Sequence, residues 1–173
     1  MTTITISGLP GTGTTTIAQL LEKQLKLPYI YAGALFRKLA EEHKMSLEAF
    51  GTYCETHPEI DRELDRRQLD LLTQGEAIIE GRMTGWLAAH HQIDAHKILL
   101  TCDIDERVQR LIEREQGDFE IKKQEMLKRE QSEQLRYNTY YQADPQDESL
   151  YDLVIDTTNK TPKEILDLII QTL

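Results

Sequence analysis

The apolar, β-branched run ITIS at residues 4–7 leads straight into the glycine-punctuated stretch GLPGTGTT, Gly8 to Thr15. An amphipathic run follows, in which Ile17, Leu20, Leu21 and Leu25 recur at helical spacing until Pro28 ends it. A strand that turns directly into a helix leaves few folds open. The strand needs parallel neighbours, and the helix has to cover one face of the sheet they form.

The rest of the chain supplies those neighbours. Short β-rich runs at Thr3–Ser7, Tyr29–Tyr31, Ala77–Ile79, Lys97–Cys102 and Leu153–Ile155 alternate with longer amphipathic segments. This predicts an α/β fold of three layers, a five-stranded parallel sheet wrapped by helices. Between Ala34 and Gln74 the pattern is helical only, with breaks near Met45-Ser46 and His57-Pro58, which predicts a helical insertion. Glu106–Tyr141 is a second helical stretch, rich in both charges and interrupted at Gly117-Asp118. The expected organisation is one domain over 1–173, with its core in 1–33, 75–116 and 142–173, the insertion in 34–74 and a small helical lid at about 117–141.

With 173 residues and a formal charge of -10, the chain does not carry a surface suited to non-specific contact with nucleic acid or anionic lipid. Any nucleotide partner requires a local basic site. The N-terminus lacks a signal-like pattern and no run approaches the ~20 apolar residues of a membrane helix, so a cytoplasmic protein is expected. No obligate protein partner is implied. Cys54 and Cys102 lie far apart and read as buried free thiols, and the adjacent His90 and His91 as surface residues rather than a metal pair.

Gly8–Thr15 matches the phosphate-binding pattern G-x-x-x-x-G-K-[ST] at every fixed position except one, where Thr14 replaces the lysine. The strand before it and the helix after it are the context that the pattern requires. A strand-turn-helix with incidental glycines is the alternative. The predicted phosphate cradle is Gly8, Leu9, Pro10, Gly11, Thr12, Gly13, Thr14, Thr15 and Thr16, with backbone N–H groups converging at a helix N-terminus. A lysine contributes about 4 kcal/mol at close contact for an effective dielectric of 20. Each N–H to a charged acceptor contributes roughly 1.5–3 kcal/mol, so several together hold phosphate without it. Catalysis is a separate demand, because charge developing in a transition state needs a preorganised cation. Thr15 is placed to offer a hydroxyl to Mg²⁺. Glu80, at the end of an apolar strand, is placed as a carboxylate for the same ion or as a helix N-cap. Threonines at 12, 14, 15 and 16 also suit K⁺ as an oxygen-ligated substitute for the ammonium.

Arginines occur where such cations are needed. Arg129, Glu133 and Arg136 fall on one helix face, with the carboxylate spaced to hold both guanidiniums. Arg110 and Arg114 stand at i, i+4 one segment earlier; solvated surface positions are the alternative for that pair. Arg37 follows Tyr31-Ala32-Gly33 after the second strand, and Arg82 follows Ile79-Glu80-Gly81 after the third. Strand ends are where ligands bind in open α/β sheets.

Taken together, these residues resemble the nucleoside monophosphate kinases, most closely the archaeal-type cytidylate kinases, over essentially the whole chain. The resemblance implies a P-loop fold that transfers phosphate from ATP, with Mg²⁺, to CMP or dCMP. It implies that Gly33 and Arg37 of YAGALFR and Arg82 of EGRMTGW hold the acceptor phosphate. Arg110 and Arg114 face the donor nucleotide, and KREQSEQLR supplies Arg129, Glu133 and Arg136 as the catalytic lid set together with Arg82. YDLVIDTTNKTPKEI resembles the last strand and the turn that backs the donor adenine. On PEIDRELDRRQLDLL, which looks typical of the archaeal branch, Asp61, Arg62, Asp65 and Arg66 are expected to supply base or ribose contacts. The chain departs from the family at Thr14, and Met83 stands where bacterial members place an aspartate near the acceptor nucleoside. An adenylate or shikimate kinase of the same architecture, and a degenerate nucleotide-binding protein without kinase activity, are the alternative readings.

Overall fold

A computed structural model describes residues 3–173, the side chain of Leu35 excepted; the first two residues of the expected 1–33 segment lie outside it. Five strands, β1 (Ile4–Gly8), β2 (Tyr29–Tyr31), β3 (Ile78–Glu80), β4 (His96–Thr101) and β5 (Leu153–Asp156), form one parallel sheet in the order β2-β3-β1-β4-β5. Each sequence expectation for a strand is displaced by no more than one residue at an end, the usual scatter of such boundaries.

Alternation along the strands builds two apolar faces. Ile4, Ile6, Ile98, Leu100 and Ile155 meet α1 (Thr14–Leu25) and α8 (Pro162–Ile170) through Ile17, Leu21, Ile165 and Ile169. Ile79 faces the other way, toward Leu72, Met83, Leu87 and Ala143. The helices α4 (Pro58–Gln74) and α5 (Thr84–His90) and the end of α7 (Phe119–Tyr141) cover that side. The sheet is therefore the middle of three layers.

The 34–74 region holds α2 (Gly33–Glu42), α3 (Leu47–Cys54) and α4, with a small core of Ala40, Phe50 and Cys54. Ser46 caps α3, and Pro58 opens α4 at a position that has no amide hydrogen bond to lose. After α6 (Ile104–Glu115) the chain turns at Gly117, whose φ is +132°, and Asp118 caps α7 by accepting from Ile121 N at 3.1 Å. Residues 119–141 form one helix of 23 residues. Its middle docks on the insertion: Lys128 pairs with Glu48, Ser132 donates to Glu55, and Tyr140 donates to the carbonyls of Cys54 and Glu55. Cys54 is a buried free thiol as expected, whereas Cys102, at the strand end, is only half-buried. His90 and His91 are exposed. No helix among the described residues is long and apolar enough to cross a membrane.

Because Phe50 is fully buried and is the largest side chain of the insertion's own core, Phe50→Ala is expected to reduce the unfolding free energy by about 3–5 kcal/mol. Urea denaturation measures it, and a loss under about 1 kcal/mol would mean that this cluster is not a packed core.

Candidate active site

The turn between β1 and α1 has every carbonyl engaged. Gly8 O accepts from Arg82 Nη1 at 2.7 Å, Pro10 O from Arg107 Nη1 at 3.3 Å, and Gly11 O from Arg110 Nη1 at 3.3 Å. Leu9 O takes Thr12 N and Oγ1, Thr12 O takes Thr157 Oγ1 at 3.0 Å, and Gly13 O takes Ile17 N. In a planar trans peptide the N–H points opposite to its carbonyl, so tying Pro10 O and Thr12 O sets the N–H groups of Gly11 and Gly13. Neither has a backbone acceptor among the described residues. The first turn of α1 adds the N–H groups of Thr14, Thr15 and Thr16 and the positive end of its dipole. Gly11, at φ +84°, could not be replaced cheaply, since a Cβ there would stand 2.8 Å from Arg107. Gly8 to Thr16 thus has the geometry of an anion cradle.

Thr14, at the lysine position, turns its hydroxyl to Glu80. Its Oγ1 donates to Glu80 Oε1 at 2.7 Å, Thr15 Oγ1 donates to the same oxygen at 2.8 Å, and the Tyr29 phenol donates to Oε2. Burial, with Glu80 adding to it, pushes the Tyr29 hydroxyl well above the usual phenol range, so it remains a donor. The N-cap alternative for Glu80 is not seen: α5 begins at Thr84, after Met83.

Across the cleft, Glu133 accepts from Arg82 Nε at 2.9 Å and Arg129 Nε at 3.1 Å. Burial works to raise this carboxyl, but the two guanidiniums override it and hold it below the ordinary range. Helical spacing suggested Glu133 between Arg129 and Arg136. The structure instead gives it Arg82, while Arg136, 2% exposed, pairs with Asp61 of α4. A partner from another element is invisible to i, i+4 counting. Arg82, Arg129, Glu133 and Arg136 line one cleft with Gly8, Thr14, Gly33, Glu80, Asp61 and Asp65.

The other expected site residues are placed differently. Asp61 and Asp65 face the cleft, and Arg62 and Arg66 lie on the next helix face, exposed; Arg66 is bound to Glu63 and Asp70. Helical geometry cannot put all four toward one ligand. Arg37 is exposed, with Nε 3.2 Å from Tyr31 Oη, and does not line the cleft. Arg110 joins the loop as expected, but Arg114, one turn further, points to Glu115 and is 65% exposed. In its place stands Arg107, 5% exposed and paired with Glu130 at 2.5 Å, which sequence reasoning missed. Its position three residues before Arg110, on the same helix face, was the available signal. Gln68 and Tyr29 were missed as well, having no charge to draw notice.

Burial is dearest on α4. It raises the Asp61 carboxyl despite Arg136, and it lifts Asp65 from the usual 3.8 to about 6, with Asp61 adding to the effect. Asp61 Oδ2, Asp65 Oδ2 and Gln68 Oε1 are buried without a partner. Each such acceptor costs about 1–3 kcal/mol, so this helix face is arranged for something other than stability.

A phosphate cradle at the end of the central strand, facing arginines from the end of β3 and from a long overlying helix, defines the small-molecule kinases of the P-loop class. The comparisons narrow this. The sequence profile of the cytidylate kinase-like family matches residues 3–159. The chain is 40% identical over 167 residues to the cytidylate kinase of Methanocaldococcus jannaschii, covering 96% of this chain and 94% of that one. It is 40% identical over 166 residues to the cytidylate kinase of Pyrococcus horikoshii, covering 96% and 85%. Among solved structures, an uncharacterized protein from Eubacterium ventriosum superposes with a TM-score of 0.72 at 18% identity, covering 99% of this chain and 98% of that one. A shikimate kinase from Acinetobacter baumannii in complex with shikimate reaches 0.64 at 13% identity, covering 99% and 92%. At those identities the two structures share the fold alone. The chain belongs to the cytidylate kinase-like family.

The folded-state pKa of Asp65 lies above its unfolded value, so its contribution favours folding below the unfolded value of 3.8 and is lost as pH rises through about 6. Asp65→Asn is therefore expected to stabilise the protein by roughly 1–3 kcal/mol near pH 8 and to change little near pH 4, read from thermal or urea unfolding at the two pH values. Equal effects at both would mean that the carboxyl is not held out of water.

Proposed function

We propose that this chain transfers the γ-phosphoryl group of ATP to CMP or dCMP, giving ADP and CDP or dCDP. The observation that carries the reading is the convergence of Arg82, Arg129 and Arg136, from a strand end and an overlying helix, on a cleft that begins at the phosphate cradle. An acceptor phosphate oxygen bonds to the γ-phosphorus as the bond from that phosphorus to the β-bridging oxygen breaks. The attacking group is already an anion and needs no strong base. The protein's part is therefore to orient two anions in line and to place positive charge around them.

The cradle Gly8–Thr16 holds the donor phosphates, with Arg110 against the loop and the turn after β5 beside it. Arg82 and Arg129, held by Glu133, meet charge on the transferred group. Thr15 and Glu80 suit Mg²⁺: Oγ1 and Oε1 stand 2.8 Å apart, both hard oxygens, and a hydroxyl that donates to a carboxylate keeps a lone pair for an ion. When bound, that ion would neutralise charge on the donor phosphates. Asp61 and Asp65 form the acceptor wall. The cations that stand in for the missing lysine are Arg82, whose Nη1 reaches Gly8 O at 2.7 Å, and Arg107 and Arg110 on the next carbonyls. A bound K⁺ is the second source of that charge. The protein is read as cytoplasmic, acting on free nucleotides without nucleic acid, membrane or obligate protein partner.

Purified protein with ATP and Mg²⁺ is expected to phosphorylate CMP and dCMP in preference to AMP or shikimate, in a coupled ADP-release assay; equal turnover of AMP or shikimate would overturn the acceptor assignment. Arg129→Ala should depress kcat by about 10²–10³ while changing the acceptor KM less. Wild-type kcat in that variant would make Arg129 a surface residue. Arg136 is the poorer probe, since its loss strands the buried Asp61 carboxylate and costs stability too.

Thr14→Lys tests the loop directly. If arginines or K⁺ supply the missing charge, the wild type is active, and it depends on K⁺ against a Na⁺ or choline control more steeply than the lysine variant does. A wild type inactive under every cation, with activity gained in Thr14→Lys, would mean that the loop only binds nucleotide.

A further inference from the structure

The acceptor wall has an unbalanced set of hydrogen-bonding groups. Asp61, Asp65 and Gln68 stand one turn apart along the inner face of α4 and all three line the cleft. Gln68 Nε2 donates to Asp65 Oδ1 at 3.2 Å and reaches Leu64 O at 3.5 Å. These bonds orient the amide and leave Oε1 as its free end. That oxygen lies 3.1 Å from where a Cβ on Gly81 would stand, at the carboxyl end of β3. Asp65 Oδ2 and Gln68 Oε1 are both buried and both without a partner. The free side-chain atoms of α4 along this wall all accept; the free donors near it are Arg136 Nε and the Tyr141 hydroxyl, which stands beside Asp65. Phe36, Leu64, Met83 and Tyr137 line the same cleft and give a flat ring apolar surface to lie on.

Resting on the reading of this cleft as a nucleoside monophosphate site, we propose that Asp65 Oδ2 and Gln68 Oε1 accept the two hydrogens of the cytosine exocyclic amine and thereby select CMP over UMP. Cytosine presents an amino group, with two N–H donors, where uracil presents a carbonyl oxygen. UMP in the same pose would bring lone pairs against these two buried oxygens and leave both without a donor. A site built to receive a donor discriminates far more strongly than one that measures shape, because the wrong ligand strands the protein's own polar groups. It is also a repulsive device, since the carboxylate disfavours the competitor as well as favouring the ligand. The geometry fits the electrostatics of the wall. Burial lifts the Asp65 carboxyl to about 6, so at neutral pH it is mostly the ionised, acceptor-only form.

The test compares kcat/KM for CMP and UMP, with ATP as donor, and the calorimetric Kd of each nucleotide, in wild type, Asp65→Asn and Gln68→Leu. The wild type is expected to favour CMP by at least about 100-fold, and each variant to lower that ratio by about tenfold or more. Asp65→Asn should do so partly by improving UMP, since its amide can donate to the uracil carbonyl. The KM for ATP and the folded state by circular dichroism should be unchanged, which separates base reading from general damage. A CMP-active wild type whose two variants keep the CMP:UMP ratio overturns this assignment alone. A wild type that phosphorylates no nucleoside monophosphate overturns the kinase reading and this proposal with it.

Discussion

The structure depends on how the loop between β1 and α1 is held. A chain cannot point a row of N–H groups at one spot unless the opposite ends of those peptides are secured. Here they are secured from outside by Arg82, Arg107, Arg110 and Thr157, which come from the end of β3, from α6 and from the turn after β5. Three of those ties are guanidiniums, so the groups that shape the cradle also surround it with positive charge. A lysine at position 14 would concentrate such charge at one point. This chain spreads it over cations anchored on three peptide carbonyls.

The same arrangement explains how an acidic protein accommodates arginines in its interior. Glu133 joins Arg82 to Arg129, Asp61 takes Arg136, and Glu130 takes Arg107, so each of these cations has a carboxylate beside it. Pairs of this kind are poor sources of stability, because desolvation offsets most of the attraction. Their value is in position. The pairs Arg82–Glu133, Arg136–Asp61 and Arg107–Glu130 link different elements, and together they bring α7, the insertion and the end of β3 around one cleft. The long helix α7 and the insertion meet through Lys128, Ser132 and Tyr140, which closes one side of the cleft.

The architecture was legible from local pattern. Short apolar β-rich runs and period-3.6 hydrophobicity placed the strands and the early helices, and glycine, proline and serine marked the breaks at 45–46, 57–58 and 117–118, because those signals are set by a few neighbouring residues. The loop and its hydroxyls were legible for the same reason. The partners of the arginines were not. Arg136 was matched by spacing to Glu133 yet pairs with Asp61, 75 residues away. Arg107, Arg110 and Arg114 share one face of α6, and only their distance along it decides which reach the loop, while Arg62 and Arg66 carry charge on the face that α4 shows to solvent.

From the sequence alone came the parallel α/β fold, the anion cradle with its missing lysine, and a surplus of arginines at strand ends and along the lid, since composition and spacing encode these within a dozen residues. The tertiary structure decided which arginines hold the loop, that Thr14 turns to Glu80, and that Asp65 Oδ2 and Gln68 Oε1 are buried and free to accept. Those facts depend on desolvation and on contacts between elements far apart in the chain, and no local pattern records either.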